Sequence, residues 1–443
     1  MAGDTHHGEV LRILFFFRGR GLYTHLMIRS GGRSIISVCA APSDKHVFQL
    51  VLEGRMDERP LTSPGTKPAD LVVFQAGQDV NFVNALHEFP DSLWTSARSR
   101  TGKVVFDASS EGRMHDPRTT DQLHAFLERA GVPLDQAVYV TQCRPYGDDY
   151  AQDCRLKGIS PRMKIVVYDY WIRRVLGEYQ EHGAQIFDER LRRFRGRGLH
   201  RDRRFLSLNY TPRRSKLIFL TRLIRDGLWD LGFVSFGGFD QMKRRKGKSL
   251  DRIKVDFLQM PGLEEQARSL LPFIDDLAGR GRILLGDVPE RRVYKQILHA
   301  DGLEEYDRSW FSAVTETEMH NHPCRITEKV LKPLLNFHPM VLFGNPSSLK
   351  LIHELGFETF PELVDETYDD VLPAGKRFEL AFSQVERLCR MDEAQMADLT
   401  GLLAEKLEFN AKWGLTELPS KLATEGDEKF LCQVLAAARP EFH

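Results

Sequence analysis

The sequence predicts two α/β domains, each built on a mostly parallel sheet, followed by a helical tail. Three observations carry this expectation. Short apolar runs rich in Val, Ile and Phe alternate with helix-like segments, as strands covered on both faces by crossover helices do. The alternation occurs twice, on either side of an arginine-rich stretch with almost nothing to bury. At 443 residues the chain also exceeds what one hydrophobic core usually serves.

In the first series the strand-like runs fall at 11–17, 33–40, 71–75, 103–107, 136–141 and 164–168. Between them lie segments such as TDQLHAFLERAGV, whose Leu123, Phe126 and Leu127 share one helix face and whose Gly131 is placed to end the helix. The stretch ERLRRFRGRGLHRDRR, from Glu189 to Arg204, holds eight arginines and two glycines and reads as a surface linker. Beyond it come strand-like runs at 205–209, 233–236, 282–286, 310–317 and 340–344. Helical patterns run from about Arg213 to Gly227, from Glu328, and up to Gly356. From about Ala374 the pattern is helical throughout. The expected organisation is an N-terminal Rossmann-like domain over 1–186, a basic linker over 187–203, a second Rossmann-like domain over 204–373 and a helical tail over 374–443, the two domains facing each other.

Lys plus Arg equal Asp plus Glu at 62 each, so net charge gives no reason to expect nucleic acid or an anionic membrane as partner. The basic runs at 190–204 and 243–248 are read as solvated linker and loop. The six cysteines are scattered, without the spacing of a disulfide framework or a CxxC knuckle, which fits a reducing cytoplasm. No run approaches the roughly 20 apolar residues of a membrane span. His320, His322 and Cys324 offer three metal-ligand types in one loop with no fourth, so no metal is expected.

In parallel α/β domains ligands bind beyond the carboxyl ends of the strands, where helix N-termini present free N–H groups. Residues just after strands are therefore the candidates. The first group lies in TETEMHNHPCRITEKVLKPLL: Glu316 at a strand end, Thr327 as N-cap, Glu328 and Lys329 in the first turn, and Lys332. An ammonium beside a helix N-terminus is disfavoured by the dipole unless an anion arrives, so phosphate is the natural guest. The plainer alternative is that Glu328 complements the dipole and Lys329 is solvated. The second group is FLSLNYTPRRSK, where Asn209 ends a strand and Arg213, Arg214 and Lys216 follow Pro212 into a helix. Cations at a helix start cost about 0.3–1 kcal/mol each without an anion, again pointing to phosphate. The third group, KVVFDASSEGR, offers Asp107 at a strand end and Glu111 in the loop after it as candidate general bases, or as loop caps. A GxG in FFRGRG (16–21) is a weak phosphate-loop signal.

The stretches FLSLNYTPRRSKLIFLTRLIRDGLWDLGFVSF, WFSAVTETE, ITEKVLKPLLNFHPMVLFGNPSSLKLIHELGFETF and VDETYDD resemble the C-terminal domain of bacterial and phage GT-B glycosyltransferases and, more distantly, the α-1,3-fucosyltransferases. The match covers about residues 204–390. It implies a GT-B-like fold of two facing Rossmann-like domains, the first for the acceptor and the second for a nucleotide sugar. In fucosyltransferases a similar TEK places its Glu and Lys on the sugar nucleotide and a nearby Arg-bearing helix grips the pyrophosphate. Carried over, these are Glu328, Lys329 and Arg213 or Arg214, with Asn209, Glu316, Thr327 and Lys332 around them. The catalytic glutamate of the first domain would be Glu111, with Asp107 as its alternative. The implied reaction is metal-independent transfer of a sugar from a nucleoside diphosphate sugar such as GDP-fucose to a glycan or other hydroxyl acceptor, with no further cofactor. A CMP-sugar donor, a retaining outcome, or a non-catalytic nucleotide- or nucleic-acid-binding protein are the alternatives.

Overall fold

The computed structural model describes residues 26–30, 33–38, 71–76, 82–89, 91–110, 112–198, 200–240, 247–286, 303–319 and 325–436. The chain is mixed α/β and divides into two compact units. One runs to Arg173 and takes in the chain from Leu422 onward; the other is Arg174–Lys421.

The first unit holds a six-stranded sheet in sequence order: β1 (Leu26–Ser30), β2 (Arg33–Val38), β3 (Leu71–Gln75), β4 (Lys103–Asp107), β5 (Ala137–Thr141) and β6 (Lys164–Val167). Only the β1–β2 pair is antiparallel; the remaining pairs are parallel, with Leu71 opposite Lys103 and Asp107 opposite Val140. Every residue of β4 and β5 is buried, which explains why their sequences are continuous apolar runs rather than alternating ones. Helix α1 (Pro117–Arg129) starts on Asp116, whose carboxylate accepts the Arg118 N–H. It buries Leu123, Phe126 and Leu127, the face read from the sequence. The chain leaves it through Gly131 at φ 69°, in the left-handed region where a Cβ is strained. Helix α2 (Tyr146–Leu156) follows β5. The expected runs at 11–17 and 16–21 lie outside the described residues.

The second unit begins with what the sequence suggested was linker. Instead, α3 (Gly183–Arg195) is a helix inside this unit. Its first residue packs so closely that a Cβ on Gly183 would stand 1.7 Å from the Leu415 carbonyl oxygen. Several arginines of this stretch are engaged, while Arg192, Arg195 and Arg203 are exposed. Arg193 and Arg197 donate to the Asp307 carboxylate, Arg197 also to the Phe337 and Asn336 carbonyls, Arg201 to the Asp307 carbonyl, and Arg190 to the Leu335 carbonyl. Arg197, all three of whose nitrogens donate, is a structural tie.

The second sheet has four parallel strands: β7 (Arg203–Asn209), β8 (Gly232–Phe236), β9 (Ser309–Thr315) and β10 (Met340–Phe343). Their order is β10-β9-β7-β8. The chain thus moves from β7 to β8 on one side, then crosses to β9 on the other. That reversal opens a crevice beyond the carboxyl ends of β7 and β9, the usual ligand position in such sheets. The described strands of the first sheet follow sequence order without such a reversal. Helix α4 (Arg214–Arg225) leaves β7, α5 (Glu328–Leu335) follows β9, and α6 (Ser348–Glu354) follows β10. The expected strand at 282–286 is not one: only Ile283 makes an isolated bridge, to Phe236.

The tail is helical from α7 (Ala374–Arg390) to α8 (Asp427–Ala436). Phe378 and Phe382 of α7 pack on Phe343 of β10. Helix α8 returns to the first unit, where the buried Asp427 carboxylate accepts from the Tyr168 hydroxyl at 2.7 Å and from Arg173 at 2.8–3.1 Å. Among the described residues no helix is long and apolar enough to cross a membrane.

Breaking one half of a buried ion pair leaves the other charge uncompensated, at a cost of about 3–5 kcal/mol. Asp427→Ala is therefore expected to lower urea-denaturation stability by that order. The double variant Asp427→Leu with Arg173→Met should recover most of it; equal losses in single and double variants would mean the pair is not what fixes α8.

Candidate functional site

The site lies at the carboxyl edge of the second sheet, and its geometry starts at Glu316, the residue after β9. Glu316 is buried, and its Oε1 accepts the Thr327 N–H at 2.9 Å while Oε2 accepts the Thr327 hydroxyl at 2.7 Å and the Thr317 N–H at 3.2 Å. Thr327 is the N-cap of α5 in backbone conformation, but its hydroxyl caps nothing in the helix. It donates to Glu316 and accepts from Lys329 Nζ at 2.8 Å. The carboxylate of a strand end thereby fixes the mouth of the next helix. Lys329 Nζ further donates to Glu328 at 3.0 Å and stands 3.6 Å from Glu316. Arg325 donates to both Glu318 carboxylate oxygens, at 2.9 and 3.0 Å.

Glu328, Lys329 and Lys332 line an open-mouthed pocket. Its opposite walls are Leu208 and Tyr210 from the end of β7, Ser235 from β8, and Leu284, Leu285 and Leu303. One more cation reaches it: Lys216, from the first turn of α4. Lys216 is only 5% exposed and Lys332 6%. Neither ammonium has a hydrogen-bond partner among the described residues. Burial opposes charge on each. For Lys216, with Lys329, Lys332 and Arg213 adding to the effect against Glu328, it depresses the ammonium well below its ordinary value. For Lys332 burial wins over Glu328 and brings the value to about 8. Burial also opposes ionisation of Glu328, but Lys329 and Lys332 prevail and hold its carboxyl at about 2. The result is an ionised carboxylate ringed by three lysines.

The three helix starts at this edge differ in how their N-terminal ends are satisfied. At α6 the position is filled from within: the Asp369 carboxylate accepts the Ser348 N–H at 3.1 Å and the Leu349 N–H at 2.8 Å. At α5 Glu316 is engaged through Thr327. At α4 there is no acidic residue in the first turn and no side-chain cap. The pocket at that helix start is lined by Arg213 and Arg214 together with the Asp256 and Glu318 carboxylates.

The sequence candidates distribute as follows. Glu328, Lys329 and Lys332 share the cavity, with Thr327 and Glu316 as their support. Asn209 is buried within the sheet, its amide donating to Ser207 and accepting from Thr315 at 2.6 Å, so it ties strand ends together. Arg213 and Arg214 line a separate neighbouring cavity of about 1070 Å³, and Arg214 donates to the Gln259 carbonyl at 3.1 Å. The cation that α4 sends to Glu328 is Lys216, read in the sequence only as one of three at a helix start. Its signal was the unbroken LIFL after it, which marks a helix buried on most sides. Tyr210, Ser235 and the three leucines had no signal of their own. Asp107 lies in the first unit, buried, with Oδ1 accepting from the Ser109 N–H and hydroxyl at 3.0 and 2.6 Å. Glu111, His320, His322 and Cys324 lie outside the described residues. Among the described residues no cluster of metal-ligating side chains occurs.

No family model matches the chain, and no curated protein matches it. Among solved structures, the trehalose-6-phosphate phosphatase N-terminal domain of Candida albicans aligns at 12% identity over 84% of this chain and 72% of that one, with a TM-score of 0.39. The catalytic domain of starch synthase IV from Arabidopsis thaliana, bound to ADP and acarbose, aligns at 12% identity over 97% and 88%, with a TM-score of 0.38. Neither likeness is close enough to carry function across.

The lysine pocket predicts a pH-dependent stability. Lys216 and Lys332 have folded values below the 10.5 of an ordinary lysine, so the unfolded chain binds more protons than the folded one. The penalty is whole below the folded values and is relieved as pH rises through about 8 toward 10.5. Stability of the ligand-free protein in urea should therefore climb between about pH 7 and 9.5. Burying an uncompensated polar group costs about 1–3 kcal/mol, so Lys216→Met should be more stable than the parent by that order near pH 7 and should climb less. A less stable variant would mean that the ammonium is satisfied in place.

Proposed function

We propose that this protein is a glycosyltransferase that holds a nucleotide-activated sugar by its phosphates at the carboxyl edge of the second sheet and transfers the sugar to a hydroxyl acceptor. The observation that carries the reading is the pocket itself: Lys216, Lys329 and Lys332 about Glu328 at a sheet reversal, with Lys216 and Lys332 largely buried and without a hydrogen-bond partner among the described residues. A diphosphate supplies several anionic oxygens in a compact space, which suits a group of ammoniums at a helix start. Glu328, ionised and beside them, is suited to accept hydrogen bonds from ribose or sugar hydroxyls. The apolar walls of Leu284, Leu285 and Leu303, with Tyr210, suit the flat face of a base.

On this reading the acceptor oxygen forms a bond to the anomeric carbon while the bond from that carbon to the phosphate oxygen breaks, and the electron pair leaves with the nucleoside diphosphate. The lysines neutralise the charge that develops on the departing group, the work that a metal does elsewhere. The acceptor proton passes to a carboxylate of the first unit, Glu111, with Asp107 as the alternative. The donor is a nucleoside diphosphate sugar such as GDP-fucose, and the acceptor a glycan or other hydroxyl compound. The alternative, nucleic acid held by the arginine-rich stretch, has less to rest on, because Arg193 and Arg197 are already engaged with Asp307.

The test is a thermal-shift panel of GDP, UDP, dTDP, ADP, CMP and short RNA on the parent and Lys329→Ala. A ligand stabilises the state that binds it, by about 2.7 kcal/mol at a hundred times its Kd, so one diphosphate should raise the melting temperature clearly. Losing one charged hydrogen bond costs about 1.5–3 kcal/mol, so Lys329→Ala should bind about 10–100-fold more weakly. A shift with CMP alone would replace the diphosphate by a CMP-sugar, and a shift with RNA alone would sink the transferase reading. With the donor known, Glu111→Gln should retain binding and lose about 10²–10⁴-fold in turnover.

A further inference from the structure

A lysine that is 5% exposed and has no hydrogen-bond partner among the described residues is an unusual thing to place beside two other lysines. The charged groups acting on Lys216 are Lys329, Lys332 and Glu328 of the facing helix α5 and Arg213 at the start of its own helix; Tyr210 shares the cavity wall. Three of the four charges are positive. In the empty pocket, burial and these cations favour the neutral amine. A phosphate entering the cavity opposes both effects, since it adds negative charge to that of Glu328 and brings acceptor oxygens to an amine that donates to none among the described residues.

We propose that a phosphate anion enters this pocket together with a proton that Lys216 takes up from solvent, so that ligand affinity at this site is coupled to pH. The inference rests on the reading of the pocket as a phosphate site and adds what happens to the proton. The step balances simply: the amine nitrogen gains one proton from water or buffer, its lone pair forms the new N–H bond, and the ammonium donates to a phosphate oxygen. No bond of the ligand changes.

The sign follows from linkage. At a pH low enough for Lys216 to be charged in the free protein, affinity does not depend on it. Above that, the complex holds one proton more than the separated partners, and affinity falls about tenfold for each pH unit. Lys332, held at about 8, joins in as pH passes that value, and the dependence steepens toward two protons. The fall ends where the lysines are neutral in the complex too.

The experiment is isothermal titration calorimetry of inorganic pyrophosphate into the full-length protein near pH 8, in buffers of low and high ionisation enthalpy. The slope of the observed enthalpy against buffer ionisation enthalpy counts protons taken up, and pyrophosphate's own titration contributes equally to every variant. The parent should take up about one proton more than Lys216→Met. Lys216→Arg, whose guanidinium stays charged, should bind with the same reduced uptake and a shallower pH profile than the parent from about pH 7 to 9. This second variant keeps the test decisive if the first does not fold. Equal proton counts in parent and variants would overturn the coupling and leave the phosphate site standing. Failure of pyrophosphate to bind the parent would overturn both.

Discussion

The carboxyl edge of the second sheet depends on one buried carboxylate. Glu316 accepts three hydrogen bonds, two of them from Thr327, and pairs with Lys329. A carboxylate is tolerated at such depth only when its oxygens are satisfied. Here the donors are Thr327, the N-cap of α5, and Thr317, the residue next after Glu316. The same set of contacts therefore shields the charge and fixes where the helix begins. Glu328, Lys329 and Lys332 all inherit their positions from that start. The Glu-Lys pair, which in most helices is a solvated decoration, is here part of the wall of a cavity.

Strand order decides where such a cavity can lie. The reversal between β8 and β9 separates the chain paths beyond β7 and β9, and side chains from both strand ends and both following helices meet in the gap. Charge then separates this gap from its neighbours. The start of α6 is closed by Asp369, whose burial raises its carboxyl to about 7 against the lowering effect of the Leu349 and Ser348 N–H groups. The start of α4 has cations where a carboxylate would normally stand. In the first sheet the parallel strands follow one another without reversal, and Asp107 turns back onto Ser109.

Most of the strands were legible because parallel strands enclosed on both faces need continuous apolar residues, and β3, β4, β5 and β10 largely have them. The same signal misread 282–286, since Leu284 and Leu285 are apolar for a different reason: they face a cavity, with Leu284 37% exposed. Arginines between 190 and 201 read as solvated because their partners are remote in sequence; Asp307 lies over a hundred residues on. Of the candidate site, the TEK helix start was legible because charges there violate a local preference. Which cation of Arg213, Arg214 and Lys216 turns inward was not, because that depends on the rotational phase of α4 against the sheet. The structure turns Lys216 in and leaves the two arginines to the next cavity.

The inward lysine is the strongest argument about what the second unit is for. A core position facing Phe219 and Leu220 along the same helix would be filled more stably by leucine or methionine, and the chain places an amine there with no hydrogen-bond partner among the described residues. The nearby carboxylates do not answer it. Glu316 is engaged by Thr327 and Thr317, and Glu328 already faces Lys329 at 3.0 Å and lies within the field of Lys332. Local rules are broken in this way chiefly at functional sites, where the missing partner arrives with the ligand. On the proposed reading the ligand is anionic at the end that meets the lysines and carries an apolar portion that fills the leucine wall. A phosphate attached to a nucleoside meets both requirements, whereas a lone carboxylate has too few acceptor oxygens and a bare anion leaves the leucines uncovered.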